Sequence, residues 1–322
     1  MQTPEPKPRH EANADAGFVD PGEAWMRHMR CGEWEQAWRI SDRQLPVRAN
    51  RSCVDWPRHL QYVWTGAPLA GKRVLVRCYH GLGDTIQFIR YAPLLKAIAS
   101  EVIVWAQPGL IPLLSTATGI DKLIALHDGT PQANYDVDVE IMELPHIFRT
   151  TLATVPAHVP YLRAEPMSLP PSAGRQPAIG LVWKAGDWAE QRSIPFPLLA
   201  PFAELTDIAL FILQPGATAA GWNGQFGTYL GEFDLYDYAR AVRAMDLLIS
   251  IDSMPAHMAG AMGVPVWTLL HAEADWRWME NRDDSPWYPS MRLFRQRQAG
   301  DWETVIEDVM SASAAFASTR RS

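Results

Sequence analysis

Four stretches of this sequence combine residue types that could do chemistry. The first is Asp252-Ser253-Met254-Pro255-Ala256-His257, which follows the apolar run Leu248 to Ile251 and precedes the small-residue stretch Met258 to Gly263. It reads as a buried strand, an abrupt polar turn and a helix, and parallel α/β sheets bind ligands where strands end and helices begin. A helix starting at Ser253 aims N–H groups and a positive dipole end at an anion, and a diphosphate suits that field. The plainer alternative makes Asp252 an N-cap and His257 a packed first-turn histidine. Pro255 removes one donor from that turn. With Asp252 as the cap, the remaining donors are the N–H groups of Ser253, Met254 and Ala256.

The second stretch, Gly81-Leu82-Gly83-Asp84, also lies between a strand and a helix. A dinucleotide fingerprint would carry a third glycine, whereas here an aspartate stands where phosphate would approach. The loop therefore favours a carboxylate aimed into a cleft, with a capping pair of Asp84 and Gln87 as the plainer alternative. In the third, Lys184 and Arg192 follow the strand-like Gly180-Leu181-Val182-Trp183, and either cation could neutralise a leaving diphosphate. Arg192, just before Ser193-Ile194-Pro195, is the better held of the two. The fourth is acidic: Asp136, Asp138 and Glu140 alternate along a strand, which predicts a solvated face, and His271, Glu273 and Asp275 alternate at a strand end. Neither is assigned a metal.

These residues must be positioned by an α/β fold. Strand-like runs at Arg73–Arg77, Val102–Trp105, Lys122–Leu126 and Tyr135–Ile141 alternate with helical patterns, including Thr85 to Ala99 with a kink expected at Pro93. A second alternation runs from Ala178 to Leu270. The reading is a disordered tail over 1–16, a helical hairpin resembling one degenerate tetratricopeptide unit over 17–45, and a linker over 46–71. Two Rossmann-like blocks follow at 72–165 and 176–298, then a C-terminal helix at 299–317. A lone hairpin should pack on its neighbour, because such repeats stabilise one another only in arrays.

The bulk properties of the 322 residues exclude several classes. A net charge of −7 argues against nucleic acid as a partner. Cys31, Cys53 and Cys78 form neither a disulfide framework nor a zinc pattern. No apolar run is long enough to span a bilayer. The expectation is a cytoplasmic protein, with peripheral placement on the inner face of the membrane allowed. Fourteen tryptophans could grip sugar rings, although a core role is the commoner use.

Together the motifs resemble glycosyltransferase family 9, the ADP-heptose–lipopolysaccharide heptosyltransferase family, in its branch carrying tetratricopeptide units. The resemblance rests on Gly81 to Phe88, Gly180 to Trp183, Arg192 to Pro195, Met245 to Asp252 and Ala256 to Gly263. It continues through Asp275-Trp276-Arg277-Trp278 and Arg282 to Pro289. It implies a GT-B fold, with the acceptor held mainly by the first block and the nucleotide-sugar by the second. It implies inverting transfer of a sugar, with heptose the candidate, to a glycan or protein acceptor, with no metal and no cofactor. Asp84 and Arg192 become the catalytic pair, and Lys184, Gln214, Asp252, Ser253, Met254 and His257 the donor contacts. Gly81 and Gly83 form the acceptor-side loop, the C-terminal helix returns to the first block, and the hairpin could dock a protein. The rival of another class is a catalytically silent nucleotide-sugar-binding or assembly protein; an epimerase acting on the donor alone is a third possibility.

Overall fold

The computed structural model describes residues 20–53, 55–58, 61–170 and 176–319; the tail expected over 1–16 lies outside them. Two helices come first, α1 (Pro21–Arg30) and α2 (Trp34–Ala49). Asp20 caps α1 through the N–H groups of Gly22 and Glu23, and Gly32, at φ +78°, makes the tight reversal into α2.

The first sheet contains β1 (Arg73–Arg77), β2 (Glu101–Ala106), β3 (Lys122–Ala125) and β4 (Val137–Glu140), all parallel in the order β3-β2-β1-β4. Between β1 and β2 lie α3 (Leu82–Phe88) and α4 (Ala92–Ile98), with α5 (Ile111–Leu114) after β2 and α6 (Leu144–Ile147) after β4. The expected kinked helix is broken earlier, at a 3-10 turn over Ile89–Tyr91. Pro93 then sits in the first turn of α4, where its missing N–H costs nothing.

The second sheet contains β5 (Ala178–Val182), β6 (Ala209–Ile212), β7 (Thr228–Tyr229), β8 (Leu247–Ile251), β9 (Val266–Leu270) and β10 (Met291–Arg295), parallel in the order β10-β9-β8-β5-β6-β7. Its helices are α7 (Leu235–Arg243), α8 (Met254–Ala261) and α9 (Trp302–Thr319). β5, β8 and β9 are buried along their whole lengths, as central parallel strands covered on both faces must be.

Two expectations need correction. The C-terminal helix α9 does not return to the first sheet: Trp302, Val305, Ile306 and Val309 are buried in the second sheet's core with Ile179, Leu181, Phe202 and Ile249. The N-terminal hairpin bridges the halves instead. Trp34 stacks on Trp287 at 5.1 Å, Trp25 meets Trp276 edge-on at 5.6 Å, and Phe88 of α3 contacts both of those partners. Trp38 donates to Thr150 O at 2.6 Å, so the same hairpin is tied to the first half as well. The acidic face of β4 is also not simply solvated. Asp136 pairs with Arg73 at 2.8 Å, Asp138 pairs with Arg77, and Glu140, 3% exposed, lies 3.3 Å from His80. Arg73 and Arg77, at the two ends of β1, supply the opposite charge.

Candidate functional site

In each sheet the strand order reverses beside one strand, β1 in the first and β5 in the second. Ligands of open α/β sheets bind at such switch points, outside the carboxyl ends of the strands. α3 follows β1, α8 follows β8 beside β5, and the two helices pack directly on one another. Gly83 permits this: a Cβ there would lie 2.7 Å from Cδ2 of His257. One turn further along α8, a Cβ on Gly260 would lie 2.4 Å from the Tyr288 ring.

Between the two helix starts lies a cavity of about 510 Å³. Gly81, Gly83, Asp84, Lys184, Arg192, Gln214, Asp252, Ser253, Met254 and His257 all line it, so the fold brings every sequence-predicted site residue to one place. Arg277 lines it too.

Asp84 is the third residue of α3. Its Oδ2 accepts the Gly81 N–H at 2.9 Å, and its Oδ1 is 2.9 Å from Nη2 of Arg277. The capping pair is therefore Gly81 with Asp84, not Asp84 with Gln87; the Gln87 amide is buried without a hydrogen-bond partner among the described residues.

At α8 the N-cap is Ser253, not Asp252, with Pro255 at the second helical position. The Ala256 N–H is already turned onto Ser253 O at 3.1 Å. That leaves the N–H groups of Ser253 and Met254 at the helix's open, positive end. Asp252, 3% exposed, faces Arg192 instead: Nη1 of Arg192 donates to Asp252 O at 3.1 Å and lies 3.6 Å from its carboxylate. Burial, then the charge of Asp275, raises the Asp252 carboxyl above the usual range, against the pull of Arg192 and Arg277.

His257 is buried, its Nδ1 2.9 Å from the Tyr288 hydroxyl and its ring stacked on Trp278. Desolvation, then the neighbouring arginines, lowers it well below the ordinary imidazole range, which favours the neutral ring. Gln214 braces the loop after β5, its Oε1 accepting the N–H groups of Trp183 (3.0 Å) and Lys184 (2.8 Å). The exposed Lys184 side chain stands at the cavity's edge.

Two arginines were missed as site residues from sequence. Arg277 is nearly buried, with Nη2 on Asp84 and Nε 3.2 Å from Asp275. Its signal was present in the quoted Asp275-Trp276-Arg277-Trp278 motif, but nothing in the chain says which carboxylate it meets. Arg90 ties the halves together behind the cavity, donating to Gln87 O, Trp287 O and the Tyr161 hydroxyl. It sits within a run that reads as one ordinary amphipathic helix, so periodicity gave no hint of it. Among the described residues no three His, Cys, Asp or Glu side chains gather as a metal site requires, and no helix is long and apolar enough to cross a membrane.

No protein-family model matches the chain. It is 26% identical over 292 residues to Protein FlbA of Caulobacter vibrioides, an alignment covering 80% of this chain and 48% of that protein. The chain thus spans about half the length of that curated relative. Among solved structures it superposes on a family 9 glycosyl transferase from Veillonella parvula with a TM-score of 0.53 (14% identity, 78% of this chain and 98% of that one). It superposes on E. coli ADP-heptose lps heptosyltransferase II at 0.51 (15% identity, 75% and 99%). With E. coli heptosyltransferase WaaC, solved with ADP-2-deoxy-2-fluoro heptose, the score is 0.50 (12% identity, 75% and 99%). The fold is therefore the GT-B arrangement of family 9 structures, as the motif resemblance implied.

Proposed function

We propose that the protein is an inverting glycosyltransferase that takes a sugar from a nucleoside-diphosphate donor and needs no metal. One observation carries this reading. A carboxylate from the first half and an anion-ready helix start flanked by the half-buried Arg192 from the second half line a single cavity at the switch points of both sheets. The GT-B fold shared with family 9 structures supports it.

The acceptor's hydroxyl oxygen attacks the anomeric carbon from the face opposite the phosphate. A new C–O bond forms, and the bond from that carbon to the phosphate oxygen breaks, its electron pair leaving on the nucleoside diphosphate. Asp84 takes the hydroxyl proton as general base. The N–H groups of Ser253 and Met254, with Arg192, offset the charge that develops on the leaving diphosphate. ADP-heptose is the first donor to test, because the WaaC neighbour was solved with an analogue of it. The acceptor is a glycan or a protein.

The test is a thermal-shift panel of ADP, UDP, GDP and CMP with their sugar conjugates, followed by turnover with the donor that binds. A saturating ligand at 100 times its Kd contributes about 2.7 kcal/mol, a shift of a few degrees. Stabilisation by one nucleotide family is expected, and none by any would overturn the reading. The ion pair that occupies Asp84 favours a second reading, a silent nucleotide-sugar-binding or assembly protein. Asp84→Asn separates the two: a transferase loses about 10²–10⁴-fold in turnover and keeps donor binding, whereas a silent protein has no turnover to lose.

A further inference from the structure

Both oxygens of Asp84 are engaged, one by the Gly81 N–H of its own helix cap and the other by Arg277. If Asp84 accepts a proton, as the reading above requires, one of these contacts must give way. The cap is local and cannot relax without fraying α3. Arg277 is different. It lines the same cavity as Ser253, Met254 and Arg192, so the place where a diphosphate would sit is within the space its guanidinium already faces.

The guanidinium is also incompletely satisfied. Its Nε is buried without an aligned hydrogen bond, although Asp275 lies 3.2 Å away. Five N–H donors in a planar fork match phosphate oxygens as well as they match a carboxylate, and a diphosphate brings more charge and more acceptors than Asp84. The rest of the residue is anchored: its backbone N–H donates to Asp275 at 3.0 Å, and its guanidinium lies over the rings of Trp276 and Phe88. Such an anchor lets the terminal nitrogens change partner while the stem stays in place.

We propose that Arg277 is a partner-exchanging residue, bound to Asp84 in this structure and transferred to the donor's diphosphate on binding, which releases Asp84 to act as base. The proposal rests on the transferase reading and deepens it. Donor binding and base activation become one event, so Asp84 is held quiet until the sugar it must help transfer is present. Arg277 is in this scheme a donor-binding and positioning residue, not a proton carrier.

Exchange makes a prediction that a merely structural ion pair does not. Asp84 competes with the ligand for Arg277, so removing its charge must tighten anion binding. Calorimetric titrations with ADP and with inorganic pyrophosphate would compare wild type, Asp84→Asn, Arg277→Lys, Arg277→Ala and the Asp84→Asn/Arg277→Ala double variant. Asp84→Asn is expected to bind about tenfold tighter than wild type, the scale of one charge-assisted contact. Arg277→Ala should bind about tenfold weaker, Arg277→Lys should recover part of that loss, and the double variant should match Arg277→Ala. Wild-type binding with no gain in Asp84→Asn, or the same gain when Arg277 is absent, overturns the exchange and leaves the donor reading intact. Binding of neither probe by wild type or by Asp84→Asn overturns both. If Arg277→Ala does not fold, the Asp84→Asn gain and the Arg277→Lys titration still decide.

Discussion

The molecule uses one device twice, a parallel strand running through a sharp turn into a helix, and charges the two copies oppositely. In α3 an aspartate occupies the first turn and folds back onto its own cap, so the positive end of that helix is neutralised from within. In α8 the first turn carries no acidic residue, and the preceding aspartate is drawn aside by Arg192. The first helix start therefore presents a carboxylate to the cavity, and the second presents N–H groups that have no partner among the described residues. In the function proposed above the first receives a proton and the second an anion, although both grow from the same strand–turn–helix geometry.

The contrast breaks most sharply if α8 is given the character of α3. Met254→Asp places a carboxylate at the cavity wall in the first turn of α8, and ADP affinity should fall on the order of 100-fold, read by titration. An unchanged affinity would mean that the helix start is not the anion site. Next in size is the packing that brings the two turns together. Gly83→Ala drives a methyl into the His257 ring, which Tyr288 and Trp278 hold in place, and should cost about 1–3 kcal/mol in thermal unfolding. Gly81→Ala, whose methyl would meet only the side chain of Asp84 at 3.2 Å, should cost less.

A carboxylate outside the cleft supplies a control. Glu143 lies 2.6 Å from Arg48 of the hairpin, yet desolvation outweighs that pairing and pushes its carboxyl up to about 7. A raised folded-state pKa favours the protonated fold, so this stabilisation is complete below about pH 4.5 and is lost as pH rises through 7. Glu143→Gln should flatten that part of the stability profile by on the order of 1–2 kcal/mol, measured by denaturant unfolding at pH 5 and 8. The smallest expected effect is at Pro255. Pro255→Ala restores one N–H to the start of α8 and should tighten ADP binding about three- to tenfold. Binding no tighter than wild type would remove that N–H from the account.

How far the sequence could be read follows the same division. Most of the strand, turn and helix order was legible because buried parallel strands are continuous apolar runs and the turn residues announced themselves by type. The two edge strands of the second sheet, β7 and β10, were not read: one has two residues and the other interrupts its apolar residues with arginines. All the residues chosen for the cavity do line it, because switch-point geometry places successive strand-end loops side by side. Partnerships were not legible. Asp84 meets Arg277 and Asp252 meets Arg192 across loops distant in the chain, and no local pattern encodes which cation faces which acid. The cap of α8 was misplaced by one residue because aspartate and serine cap equally well on propensity, whereas in the fold the half-buried Arg192 engages Asp252. The resemblance sent the C-terminal helix to the first half, and its apolar stripe could not correct that, because a stripe shows that a helix packs but not where.

The aromatic pile formed by Trp25, Trp34, Trp276, Trp287 and Phe88 has an optical consequence. It joins the hairpin to α3 and to the loop that carries Arg277, so any hinge motion of the cleft must shear stacked indoles against one another. Indole emission responds to such changes in contact and polarity. The protein thus carries its own gauge of cleft angle, one that needs no label and that would register domain closure in a stopped-flow trace.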